Sequence, residues 1–338
     1  MNKKNVLICT GGGGSRLSRT SNLEPGVWTT TRAFTMAEIL LSLTIIGVVA
    51  AITLPSLTGN INERTWNTQR KALYARFSQA IALMPALNGY GSTAENAAET
   101  FITAGLSKVL KINNICGNDK LPDCGLPAKI LTLNANSSIE LESIKTLSEF
   151  NSAFDFVDDY GGSYHAQLIT HAAAFETANG ESILTYYVPD CRSDDSSSFV
   201  GKQAQSFMCA NFVYDLNGTK GPNTVGKDVG FISVLYPSDS VVVAPVPVVG
   251  SVLSGIAFSD VASVCRNNDP ETRVPNYEEL ASMFYNKTLL GYGDTTGTDV
   301  WSSKRVEGQA ANAGWLLKFR TGTYVGWTQP ANAKCIKR

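Results

Sequence analysis

FTMAEILLSLTIIGVVAAITL, residues 34–54, is the stretch on which the reading of the whole chain turns. It is apolar nearly throughout, yet carries one carboxylate, Glu38, at its fifth position. As a helix it is about 31 Å long at 1.5 Å per residue, enough to cross a hydrocarbon core of roughly 30 Å. Before it, Lys3, Lys4, Arg16, Arg19 and Arg32 face only Glu24, a net of +4 that leaves −5 for the remainder. After it, no base follows until Arg64. That asymmetry predicts a single-pass membrane helix with its amino-terminal side in the cytoplasm and the rest of the chain outside.

Residues 1–33 contain Gly11-Gly12-Gly13-Gly14, but no strand pattern precedes them and no Gly-Lys-Ser/Thr follows, so a phosphate loop is not indicated. They read as a leader peptide removed by processing. Downstream, Pro55 should kink the helix, since proline lacks the amide that an interior turn requires. The chain resumes as INERTWNTQRKALYARFSQAIALMPAL, residues 61–87. Trp66, Leu73, Phe77, Ala80, Ile81 and Met84 recur at helical spacing, with Arg64, Gln69, Arg70, Lys71, Arg76 and Gln79 on the other side. This predicts an amphipathic stem that lays one face on a globular head and stops at Asn88-Gly89.

Charge excludes one function class. With 17% charged residues of nearly balanced sign, the chain cannot track a phosphate backbone, and no direct nucleic-acid binding is expected. Of seven cysteines, Cys9 lies in the leader region; Cys116, Cys124, Cys191, Cys209, Cys265 and Cys335 remain. Sequence leaves about fifteen pairings open for six cysteines. The sequence neighbours make the preferred pairs: Cys116 with Cys124, Cys191 with Cys209, and Cys265 with Cys335. No zinc spacing is present and the chain has two histidines, His165 and His171, so the cysteines imply an oxidising compartment.

The organisation expected is a leader (1–33), a transmembrane and stem helix (34–88), a globular head (89–240), a linker or edge strand (241–255) and a cysteine-closed module (256–338). In the head, Ala94–Ile112 reads as a helix, 167–175 as strand or helix, and Ser182–Val188 as a strand. FVYD and VGFISVLY flank the turn-rich loop LNGTKGPNTVGKD, where Asn217-Gly218 and Gly221-Pro222 are strong turn signals. Asp215, Asn217, Asn223 and Asp228 there either converge oxygens on a calcium ion or close a hairpin through Asx turns. Pro245 and Pro247 deny the valine run near 240–250 a central place in any sheet. In the last module Ser259–Cys265 and Tyr277–Tyr285 read as helices, and Val300–Ser303, Gly314–Phe319 and Thr323–Trp327 as strands of a small sheet.

The combination AFTMAEILLSLTIIGVVAAITLP, residues 33–55, resembles the amino-terminal motif of type IV pilins and type II secretion pseudopilins. The resemblance implies cleavage by prepilin peptidase between Ala33 and Phe34 and methylation of the new amino terminus at Phe34. Alanine stands at 33 where the family more often has glycine. Glu38 matches the family's glutamate five residues into the mature chain, and Pro55 its helix-kinking proline. YDLNGTKGPNTVGKDVGF, residues 214–231, is similar to a head loop of prepilin-like bacterial proteins, and the last module resembles a C-type-lectin-like outline. The fold class implied is α+β and type IV pilin-like: a long helix, an antiparallel β-rich head with disulfides, and that C-terminal module.

The function implied is a structural, minor subunit of a type IV pilus or type II secretion filament, lodged in the bacterial inner membrane before assembly. Its partners would be prepilin peptidase, other pilin or pseudopilin subunits and an inner-membrane assembly platform. Glu38 would pair with the Phe34 amino group of a neighbouring subunit and set the register of stacked helices. The competing expectation is a membrane-anchored surface adhesin that forms no filament. No nucleophile elbow or metal-ligand helix appears, so no enzyme activity is expected.

Overall fold

The computed structural model describes residues 35–83, 98–156, 169, 171–187, 208–235, 252–291, 299–319 and 322–337; the side chains at 52–61, 187, 208, 235, 252 and 337 are outside that description. The leader through Ala33 lies outside it, as do Phe34, Cys191 and His165. The chain divides into two compact units, Met1–Thr58 and Gly59–Arg338.

Helix α1 (Met36–Leu83), whose first turns lie in the first unit, begins on a capping box. The Glu38 carboxylate accepts from the Thr35 amide at 2.9 Å and from the Thr35 hydroxyl at 3.0 Å, while that hydroxyl accepts from the Glu38 amide at 3.2 Å. These bonds hold the Glu38 pKa below its ordinary value. The carboxylate therefore satisfies the helix's own first turn. Met36, Leu40, Leu41 and Ile46 are all exposed along this part of the helix.

The membrane span expected over Phe34–Leu54 is corrected here. Among the described residues no helix is long and apolar enough to cross a membrane. By Asn62, Glu63 and Arg64 the helix is polar. The single-pass inner-membrane location falls with the span. Helix α1 passes through Pro55 without a break.

In the second unit the stem of α1 packs as its stripe predicts: Leu73, Phe77, Ala80 and Ile81 are buried. They lie on a five-stranded antiparallel sheet of order β1-β4-β5-β6-β7. Its strands are β1 (Ile112–Gly117), β4 (Ala172–Thr177), β5 (Ser182–Tyr187), β6 (Met208–Asp215) and β7 (Val229–Leu235). The short hairpin β2 (Lys129–Leu131) and β3 (Ser138–Glu140) sits between β1 and β4 in sequence. Register sets Phe175 opposite Ile183, Ile183 opposite Tyr214, and Phe212 opposite Ile232. Side chains alternate at period two. Phe175, Ile183, Phe212 and Ile232 join the stem cluster, whereas Ala174, Leu184, Val213 and Phe231 join the cluster on the opposite face. Phe77 meets Phe212 edge-on at 5.0 Å between centroids and Phe175 at 6.3 Å.

The opposite face is covered by the C-terminal half. The other α-helices among the described residues are α2 (Ala98–Thr100), α3 (Leu147–Ala153), α4 (Phe258–Asn268) and α5 (Tyr277–Tyr285). Tyr277, Met283 and Phe284 of α5 lie in the same cluster as Leu184 and Val213. A polar seam runs through this junction: the Ser233 hydroxyl donates to Asn211 Oδ1 at 2.8 Å, and Asn211 exchanges amide bonds with Asn286 at 3.0 Å. Burying those groups unpaired would cost about 1–3 kcal/mol each, so the seam fixes how α5 docks.

A second five-stranded sheet has the order β12-β11-β10-β13-β8. It comprises β8 (Val252–Ile256), β10 (Asp299–Arg305), β11 (Gly314–Lys318), β12 (Thr323–Trp327) and β13 (Ala331–Lys334), with β9 (Thr272–Arg273) and β14 (Ile336–Lys337) paired beside it. Disulfides join Cys116 to Cys124 and Cys265 to Cys335. Cys209 is also disulfide-bonded.

The architecture is thus mixed α+β with two antiparallel-rich sheets and disulfides, and the type IV pilin-like outline is corrected to that. So is the C-type-lectin-like outline: a parallel β10–β13 pairing at Val300 and Asn332 and the docked helix α5 make the C-terminal half a second layer over the first sheet. Local expectations moved as well. In place of a helix over Ala94–Ile112, α2 passes into a π-turn (Phe101–Gly105) and a 3-10 turn (Leu106–Lys108), and Ile112 already starts β1. Residues 236–251 lie outside the described residues, and β8 takes a sheet edge after them.

Candidate recognition groove beside the 215–228 loop

β6 ends at Asp215 and β7 starts at Val229, so the loop between them is held at the end of the strand pair on one edge of the sheet. Asp215 Oδ1 accepts from the Asn217 amide at 3.0 Å, which makes an Asx turn. Asp228 spends both oxygens on the loop: Oδ2 accepts from the Asn223 amide and Oδ1 from the Thr224 amide, each at 2.9 Å. Asn223 takes a positive φ of 50° and Gly226 one of 87°, conformations that favour Asn and Gly. The Leu131 amide donates to the Asn223 carbonyl at 2.8 Å and the Val225 amide to the Leu131 carbonyl at 3.0 Å, which ties the loop to β2.

Asp215 and Asp228 are fully buried. Burial first, and the Asp228 charge after it, push the Asp215 carboxyl up to about 8 against the pull of the loop amides. Calcium is held by several oxygens turned toward the ion, ionised carboxylates prominent among them and carbonyls beside them. Here Asp215 favours its neutral form, Asp228 is committed to backbone amides, and the Asn223 amide is oriented so that its nitrogen donates to the Gly218 and Lys220 carbonyls. The Asn217 Oδ1 is buried without a hydrogen-bond partner. Among the described residues no group of three or more His, Cys, Asp or Glu side chains is placed to hold a metal ion. His171 is half-buried, with its pKa lowered by that burial.

The outer wall of the loop meets α1. Arg70 donates to the Gly226 carbonyl at 2.7 Å and to the Lys227 carbonyl, and its other nitrogen holds Asn67 Oδ1 at 2.9 Å. One planar side chain thereby fastens loop to helix. Tyr214 lies behind it, buried, its pKa pushed up to about 12 by burial with the Arg70 charge opposing. Gly230 is required beside that ring, because a Cβ there would collide with the Tyr214 hydroxyl.

Between helix and loop opens a groove of about 790 Å³. Asn62, Glu63 and Trp66 form its helix wall; Gly221, Pro222, Gly226 and Lys227 form its loop wall. Trp66 is half-buried, with its body against the stem cluster. Sequence reasoning assigned Trp66 to the core stripe and the Gly-Pro-Asn run to a turn. Their meeting depends on where the helix crosses the sheet, which no local pattern encodes.

Of the other residues singled out in the sequence, Glu38 lies in the first unit and caps its own helix, well apart in sequence from the groove. Cys116–Cys124 staples β1 to the 3-10 turn Leu121–Cys124, and Cys265–Cys335 staples α4 to the chain after β13. No protein-family model, no curated protein and no solved structure matches this chain. Together with the lack of a membrane-crossing helix among the described residues, that finding overturns the type IV pilin and pseudopilin resemblance. The filament-subunit function and the membrane-anchored adhesin alternative, which both required such a helix, go with it.

Proposed function

We propose that this chain is a non-catalytic recognition protein whose binding site is the groove between α1 and the 215–228 loop. The observation that carries the reading is the Arg70 clamp, which sets a turn-rich loop rigidly against the helix face bearing Trp66. A wall fixed in advance spares a ligand the cost of ordering it. The groove volume lies within the roughly 300–1,000 Å³ typical of binding clefts, and a half-buried tryptophan offers contact area at low conformational cost. Polar groups elsewhere serve the fold: Ser233 and Ser282, potential nucleophiles by type, bond to each other at 2.6 Å inside the α5 seam.

The test is a selection of peptides from a random displayed library on the full chain, followed by fluorescence anisotropy on wild type and Trp66→Ala. Binders that lose about tenfold or more of their affinity in the variant, with circular dichroism unchanged, support the reading. Recovery of no binder, or of binders indifferent to Trp66→Ala, sinks it.

A further inference from the structure

The groove's two walls carry opposite charge, and this narrows the ligand. Glu63 sits on the helix wall and Lys227 on the loop wall; both are exposed, and they are not paired to each other across the gap. Glu63 and Trp66 stand three residues apart on α1, which puts them side by side on one helix face. A carboxylate next to an indole face is a socket for a guanidinium: its edge pairs with the carboxylate in bidentate fashion while its plane stacks on the ring. An ammonium fits this arrangement less well, because it offers no plane.

The geometry points to an extended peptide segment that places an arginine on Glu63 and Trp66 and an acidic group on Lys227. This inference rests on the groove being the binding site. A polyanion is disfavoured by Glu63 and a polycation by Lys227, so charge complementarity selects a chain carrying both signs. The Asn62 amide, one residue from Glu63, has both a donor and an acceptor to offer a peptide group. The loop wall at Gly221 is open: a Cβ built there would meet nothing within 4 Å, which leaves room for a backbone to pass close.

The experiment uses the full chain and two sets of synthetic peptides, each containing Ala-Pro between an arginine and an aspartate, in both orders. Matched peptides replace arginine by lysine, arginine by citrulline, or aspartate by lysine. Expected is binding by one order, at least tenfold weaker with citrulline or in Glu63→Gln, and several-fold weaker with lysine. In Lys227→Glu the aspartate peptide should weaken about tenfold and its lysine counterpart should recover the loss. Equal binding of arginine and citrulline peptides, or no recovery in the Lys227→Glu pairing, overturns the charge assignment. If such peptides still lose affinity in Trp66→Ala, the groove stands and only its ligand chemistry is wrong; if Trp66→Ala has no effect, both readings fall.

Discussion

Arg70 on α1 and the Gly226 carbonyl at the end of the 215–228 loop are joined by a 2.7 Å hydrogen bond, and the same guanidinium reaches Lys227. The pair links helix to loop through backbone acceptors, so the loop's attachment to α1 runs through a single planar donor.

Replacing Arg70 by alanine should therefore free the loop wall more than it destabilises the fold. The side chain is partly exposed, and bonds from a charged donor of this kind contribute about 1–2 kcal/mol at most. Chemical denaturation should show a loss of that order, while amide exchange speeds up selectively at Asn223, Thr224 and Gly226. Lysine should fail to restore protection, since an ammonium lacks the fixed fork that holds Asn67 on one nitrogen and the two carbonyls on the other. Uniform acceleration across β6 and β7 would mean that Arg70 supports the whole sheet instead.

Asp215 gives the loop a pH dependence whose sign follows from its burial. Its folded pKa is raised to about 8, well above the unfolded value of 3.8. Between those values the folded state binds more protons than the unfolded one, so this group's contribution to stability falls as pH rises from about 4 to about 8. Asparagine keeps the oxygen that accepts from the Asn217 amide but cannot ionise. Asp215→Asn should accordingly melt higher than wild type at pH 9, with the difference shrinking towards pH 4. A difference that is constant with pH would show that Asp215 does not titrate in this range.

Much of the second unit is written in local pattern. Phe212 and Val213 fall on opposite faces of β6, as Phe231 and Ile232 do on β7, because alternation at period two survives burial of both faces. Asn276 with Glu279 announces the start of α5, and the structure closes that capping box. β1 was illegible for a physical reason. Ile112–Gly117 is an edge strand whose Asn113 and Asn114 are exposed, so it carries neither alternation nor a continuous apolar run. The groove was illegible too, since Trp66 and Pro222 come together only through the tertiary placement of α1. The apolar stretch at 34–54 misled differently: hydropathy reports that a segment avoids water and says nothing of what covers it.

The two described disulfides should differ in weight because they close loops of different length. Cys265–Cys335 spans 70 residues of sequence and Cys116–Cys124 spans 8. Loop-closure entropy gives about 4 kcal/mol for the first and about 2.5 kcal/mol for the second. The double variant Cys265→Ser/Cys335→Ser should lose the larger amount in denaturant unfolding, with the loss concentrated in the sheet that contains β13. Equal losses for the two pairs would indicate that residual structure already holds α4 near β13 before folding.

Phe77 is the point at which the stem depends most on a single side chain. It is fully buried, stacks towards Phe175 and meets Phe212 edge-on, so it contacts two strands at once. Truncation to alanine leaves a cavity between elements that cannot collapse onto each other without shifting the sheet. The expected cost is about 3–5 kcal/mol. Phe77→Leu should recover most of it by refilling the space, though without the ring contacts worth about 0.5–1.5 kcal/mol. Because α1 carries the helix wall of the groove, peptide affinity should fall in Phe77→Ala only as far as the stem undocks. The part of the tryptophan emission that Trp66→Ala removes reports that undocking: a red shift of that component in Phe77→Ala, absent in Phe77→Leu, is expected. An unshifted spectrum in Phe77→Ala would place the anchor of the stem elsewhere, at Leu73 or Ile81.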